Sequence, residues 1–114
     1  MSAELQGMLE LLGKDATLKL VEAYGGVRCL VPKRFPAEHE LLELLGAAAF
    51  ALLHQYYGGS IIAVPLAKRW RIRVYKERGL TTKEIARRTG YTERAVARIV
   101  NNNYAPPPQF ELPL

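Results

Sequence analysis

The sequence predicts a mainly α fold with two short β-strands, and three observations carry that expectation. Apolar residues recur at helical spacing along most of the chain. Two segments break that spacing in the same way, Tyr24 to Pro32 (YGGVRCLVP) and Tyr57 to Pro65 (YGGSIIAVP). The third is Thr82 to Asn102, TKEIARRTGYTERAVARIVNN, which reads as two short helices turning at Gly90.

Taken in order, residues 3–12 (AELQGMLELL) place Leu5, Met8, Leu9 and Leu12 on one face of a helix that Gly13 ends. Asp15 is expected to cap the next helix, DATLKLVEAY, with Leu18, Val21 and Tyr24 inward and Gly25 and Gly26 as its stop. Val27 to Val31 follows as a strand, closed by Pro32, which cannot donate to a ladder. Pro36 precedes an expected helix over 37–45, AEHELLELL, acidic at its start. Gly46 breaks or caps it before AAAFALLHQYY, helical to Tyr57, and Gly58 and Gly59 end that helix. Ser60 to Val64 is the second strand, closed by Pro65.

The two Tyr-Gly-Gly segments align without a gap at a period of 33 residues. Two copies are too few for a solenoid, which needs about three, and two lone strands make a weak sheet. The economical expectation is a dimer in which strands of two chains pair about a two-fold axis under leucine-rich helices. Val27, Cys29, Val31, Leu41, Leu45, Leu52, Ile61 and Ile62 are the expected dimerisation residues. The alternative is pairing of the two strands within one chain.

Composition bounds the rest. A chain of 114 residues supports one compact domain or two very small ones. No apolar run approaches the roughly 20 residues of a membrane helix, and the start, MSAELQG, carries no basic, cleavable apolar leader, so a cytoplasmic setting is expected. The one cysteine, Cys29, reads as a small apolar strand residue. The net charge of +5 hides an asymmetry. Residues 1–65 hold five Lys/Arg against seven Asp/Glu, or −2, and residues 66–114 hold eleven against four, or +7. A basic half is the electrostatic footprint of a phosphate partner, because each neutralised phosphate releases condensed counterions.

Leu66 to Arg78 (LAKRWRIRVYKER) predicts a basic helix with Ile72 and Tyr75 on its apolar side. It would be the first of three in residues 66–103, packing on Ile85 and Val96. In the second helix Thr81 or Thr82 supplies the cap, with Glu84 in the first turn, and Gly90 marks the stop. Thr92 caps the third. Ile85, Ala86, Thr89, Tyr91, Val96 and Ile99 are the inward candidates, in the spacing of a helix-turn-helix of the homeodomain-like kind. Thr92, Arg94, Ala95, Ala97, Arg98, Asn101 and Asn102 are left facing outward. Arginine forks onto guanine, asparagine onto adenine, and methyl groups suit thymine. Thr92, Arg94, Ala97, Arg98, Asn101 and Asn102 are therefore expected to read bases, with Thr82, Lys83, Arg87, Arg88, Arg69 and Arg73 on the DNA backbone. The segment 104–114 (YAPPPQFELPL) has four prolines and reads as extended. Phe110, Leu112 and Leu114 suit it to pack on a groove of its own dimer or to dock on another protein.

Nothing in the remaining residues reads as catalysis. His39 and His54 stand at no metal-ligand spacing to each other or to Cys29. No serine or cysteine has an identifiable base, and neither Gly-Gly pair has phosphate-loop spacing. The expectation is a binding protein without cofactor, metal, membrane or small-molecule ligand.

With the Gly-Gly-strand-Pro element and the helix-turn-helix both in view, the chain resembles the Mor transcription activator family, the phage Mu middle-operon regulators and their relatives. The resemblance is carried by YGGVRCLVPK, LLELLGAAAFALLHQYYGG, SIIAVP and RWRIRVYKERGLTTKEIARRTGYTERAVARIV. It implies dimeric activators that touch promoter DNA and RNA polymerase, with an N-terminal dimerisation domain joined by a strand to a C-terminal DNA-binding domain. On that pattern Thr92, Arg94, Arg98 and Asn101 would read bases and Lys83, Arg87 and Arg88 would hold backbone. The chain departs from it in an apolar second strand, Ile61-Ile62-Ala63, with no aromatic or polar residue there. The expected organisation is a dimerisation domain over 1–65, a DNA-binding domain over 66–103 and a Pro-rich tail over 104–114. The rival is an interaction adaptor that keeps the fold without specific DNA binding.

Overall fold

The structure, a computed structural model, describes residues 2–101. The expected base reader Asn102 and the segment 104–114 lie outside the described residues. The elements run α1 (Ala3–Leu12), α2 (Lys14–Tyr24), β1 (Arg28–Leu30), α3 (Glu40–Leu45), α4 (Ala47–Tyr57), β2 (Ile61–Ala63), α5 (Lys68–Glu77), α6 (Thr82–Thr89) and α7 (Glu93–Asn101). They form a mainly helical chain whose described residues fall into two compact units, dividing between Ala67 and Lys68. No helix among the described residues is long and apolar enough to cross a membrane.

The first unit is built twice over. Each half is a helix, a glycine in left-handed φ, a second helix, a Gly-Gly stop and a three-residue strand. Gly13 and Gly46 occupy the same step at φ 85° and 86°. β1 and β2 pair antiparallel with Arg28 opposite Ala63, Cys29 opposite Ile62 and Leu30 opposite Ile61. The flanking hydrogen bonds are reciprocal: Gly26 N–H donates to Val64 O and Gly59 N–H to Val31 O, both at 2.8 Å. Val31 N–H donates to Ser60 O and Val64 N–H to Val27 O, at 2.9 and 3.0 Å. Helix packing repeats the exchange, since α1 packs on α4 as α3 packs on α2. A pseudo-two-fold axis thus passes through the Cys29–Ile62 pair and relates residue i to i + 33.

The Gly-Gly pairs divide two tasks between them. A Cβ on Gly25 would stand 2.5 Å from Val21 O and 3.3 Å from Pro65 O, so the first glycine is required by close approach. Gly26 and Gly59 have φ of 87° and 83°, where L-residues are strained. The core of this unit is Leu5, Met8, Leu18, Leu20, Val21, Val31, Leu41, Leu45, Phe50, Leu53, Ile62 and Val64. Thr17 is fully buried, its hydroxyl donating to Met8 O at 3.0 Å.

Three expectations are corrected here. The strands pair with each other inside the chain rather than with those of a second copy, because the internal dyad already supplies each with its antiparallel neighbour. Of the expected dimerisation residues, Cys29, Val31, Leu41, Leu45 and Ile62 are therefore buried within the protomer, while Val27, Leu52 and Ile61 are exposed. The helix expected over 37–45 begins only at Glu40, where the His39 ring accepts from Leu41 N–H and caps it. Gly13, not Asp15, stands at the N-cap of α2, and Asp15 lies in the first turn. The two units divide after Ala67.

In the second unit α5, α6 and α7 each pack on the other two. Ile72, Val74, Tyr75, Ile85, Thr89, Val96 and Ile99 are buried, while Ala86 and Tyr91 are half-buried.

Candidate nucleic-acid interface

The turn between α6 and α7 is held by local chemistry that fixes the direction in which α7 leaves. At the start of α6, Thr81 Oγ1 accepts from Glu84 N–H at 3.2 Å and Glu84 Oε1 accepts from Thr81 N–H at 3.0 Å, a closed capping box. Those bonds favour the ionised form, and the Glu84 carboxyl titrates below its ordinary value, chiefly through the Thr81 N–H. At the other end the buried Thr89 hydroxyl donates to Ile85 O at 2.8 Å. Gly90 takes the left-handed conformation, φ 79° and ψ 6°, its N–H donating to Ala86 O. Thr92 then caps α7, with Oγ1 accepting from Ala95 N–H at 3.1 Å.

α7 buries Val96 and Ile99, which settles what faces out. Thr92, Arg94, Arg98 and Asn101 are exposed, and Ala97 is half-buried beside them. Arg94, Arg98 and Asn101 stand at i, i+4 and i+7, one row along the helix. Lys83, Arg87, Arg88 and Arg69 are also exposed, and Thr82 is half-buried in the first turn of α6. Arg73 is half-buried, with its Nε enclosed and lacking a hydrogen-bond partner among the described residues.

Three cations are engaged inside the unit, and sequence reasoning missed all three contacts. Arg71 donates from Nε and Nη2 to the Tyr75 hydroxyl at 3.3 Å, and from Nη2 to Arg88 O at 3.4 Å. The Arg71 and Arg88 guanidinium carbons lie 5.8 and 5.5 Å from the Tyr75 ring centre. Lys68 Nζ lies 5.4 Å from the Tyr91 ring centre, beside the turn. The i, i+4 spacing of Arg71 and Tyr75 was a readable signal; the Lys68–Tyr91 contact had none. These ties attach α5 to α6 and to the turn, so Lys68 and Arg71 support the face rather than belong to it.

The other residues singled out from sequence have structural partners. His54 Nε2 lies 3.0 Å from Lys33 O, an acceptor only, so the ring donates there. Its ring, with His39 and Phe35, surrounds Phe50 at centre distances of 5.2 to 6.2 Å. Burial, and then the Glu40 carboxylate, push the Cys29 thiol up, which disfavours the nucleophilic thiolate. No family model matches the chain, and neither a curated protein nor a solved structure matches it.

Proposed function

We propose that this chain is a dimeric, sequence-specific DNA-binding transcription regulator, an activator of phage or prophage origin that works with RNA polymerase in the cytoplasm. The observation that carries the reading is the exposed row Arg94, Arg98 and Asn101 on α7, opposite the buried Val96 and Ile99. It lies on the half of the chain whose charge is +7, eleven basic residues against four acidic. α6, the Gly90 turn and α7 are then a helix-turn-helix, with α7 as the helix that enters the major groove. Arg94 and Arg98 suit guanine edges, Asn101 an adenine edge, and Ala97 and Thr92 a thymine methyl. Lys83, Arg87, Arg88 and Arg69 supply charge to flanking phosphates and fix register. This is binding chemistry; no proton transfer, nucleophile or cofactor enters it.

The test is selection of bound duplexes from a random library by the full chain, read by sequencing. A two-fold motif with half-sites about 34 Å apart, one helical turn, is expected. No enrichment at moderate salt overturns the reading and leaves the adaptor that binds protein alone.

A further inference from the structure

The pseudo-two-fold axis of the first unit makes α2 and α4 counterparts, so each helix is a control for the other. Both bury one side, with Leu18, Leu20 and Val21 on α2 and Phe50 and Leu53 on α4. Their outer sides differ in kind. α2 exposes Lys14, Asp15, Lys19 and Glu22, and at the same four places, thirty-three residues on, α4 exposes Ala47, Ala48, Leu52 and Gln55. The counterpart of Ala23 is Tyr56, 65% exposed, and Leu52 is 39% exposed. Of the seven helices among the described residues, α4 is the one that holds no Asp, Glu, Lys or Arg.

Loss of charge and gain of a tyrosine are the compositional signs of a surface that another protein covers. Ala48, Ala51, Leu52, Gln55 and Tyr56 stand at i, i+3, i+4, i+7 and i+8, one face along about 16 Å of helix. Nucleic acid is excluded as its occupant, because the face has no countercharge for phosphates. The charges at its two ends fit a second copy laid antiparallel. Glu43 stands exposed three residues before Gly46, which starts α4. Lys33 and Arg34 are exposed at the other end, where Lys33 O accepts from His54 and a Cβ on Gly59 would stand 3.5 Å from Lys33 Cβ. One end of the face is therefore acidic and the other basic. An antiparallel pair sets the acidic end of each copy by the basic end of the other, with the helix dipoles opposed as well. A two-fold axis also makes the face meet itself, and a face without charge does not repel its own copy.

We propose that this outer face of α4 docks on the same face of a second copy of the chain, antiparallel about a two-fold axis between Ala51 and Leu52. That register sets large on small: Leu52 of each copy lies against Ala51 of the other, and Tyr56 against Ala47. The alanines let the two helix axes approach to about 8 Å, the near end of helix packing. β1 and β2 stay paired within each protomer. Two helices of this length make a contact of the weak class, below about 1,200 Å². The proposal rests on the dimeric part of the reading above and names the surface that joins the copies; base recognition does not enter it.

Sedimentation equilibrium of the full chain from about 1 µM to about 1 mM tests it, and a reversible monomer–dimer equilibrium is expected. Leu52→Lys and Tyr56→Ala place on α4 the residues that α2 carries at the same positions, so neither is foreign to the fold. Each should weaken association about tenfold or more, and Lys19→Ala on α2 should leave it unchanged. A parent chain that stays monomeric throughout overturns the proposal and leaves the face to a different protein. Association equal to the parent's in both α4 variants overturns it too, and circular dichroism establishes that they are folded. The second readout is cross-linking by a short bis-maleimide on a Cys29→Ala background. Ala51→Cys should give a covalent dimer and Lys19→Cys should not; equal yields overturn the proposal. Mixed Ala48→Cys and Gln55→Cys chains should join each other faster than either joins itself, and the reverse preference overturns the antiparallel register. A chain that cross-links at Ala51→Cys yet enriches no duplex refutes only the DNA reading; one that enriches a two-fold motif without that cross-link refutes only this contact.

Discussion

Arg98 and Arg87 are both exposed arginines, yet they should fail differently when removed. Arg98, in the outward row of α7, should cost about 1–3 kcal/mol as Arg98→Ala and relax preference at one base position. Arg87→Ala should weaken binding to every duplex and reduce the salt slope by about one. Fluorescence anisotropy on the selected site and on point-substituted duplexes, across a salt series, separates the two. Arg71 makes a third case, because its donors serve Tyr75 and the Arg88 carbonyl. Arg71→Ala should lower unfolding stability by about 1 kcal/mol, with the sequence preference of the remaining folded protein unchanged. Glu84 adds a pH dependence. Its folded-state carboxyl titrates below the ordinary value of 4.5, so its contribution is present above that pH and is lost as pH falls through the folded value. Glu84→Gln should remove that acid-side component from thermal melts, and identical pH profiles would deny the capping box any electrostatic part.

At the scale of elements, the Gly-Gly stops explain why so short a sequence makes two matching halves. Gly26 and Gly59 sit at φ of 87° and 83° after helices that end alike. Gly26→Ala and Gly59→Ala should each destabilise by about 1–2 kcal/mol, the cost of left-handed backbone for an L-residue, and by similar amounts because the dyad makes them equivalent. Chemical denaturation measures both, and a large difference would show that the halves do not share the load. Much of this was legible beforehand. The Tyr-Gly-Gly-strand-Pro repeat located both strands, and Gly90, Thr81 and Thr92 located the turn and caps of α6 and α7. What sequence reading missed is that the repeat continues upstream, as LELLG at 9–13 and again at 42–46. Those five residues were the available signal for the internal dyad.

For the molecule as a whole, the proposed dimer makes affinity depend on the spacing of its half-sites. Inserting about 5 base pairs between half-sites turns one of them roughly half a helical turn away from its reader. Affinity should then fall to that of a single half-site, as measured by electrophoretic mobility shift. Equal affinity for both spacings would mean that the two readers are flexibly tethered and would contradict a fixed dyad.

By itself the sequence determined the helices, the two strands, the basic half and the outward row of α7. All of these rest on local properties: periodicity, capping residues, glycine φ and the run of charges. Tertiary structure alone decided which strand pairs with which, because pairing depends on where a residue 33 positions away returns in space. It also decided which arginines face water and which are held by Tyr75, since helical spacing assigns a face but not a neighbour.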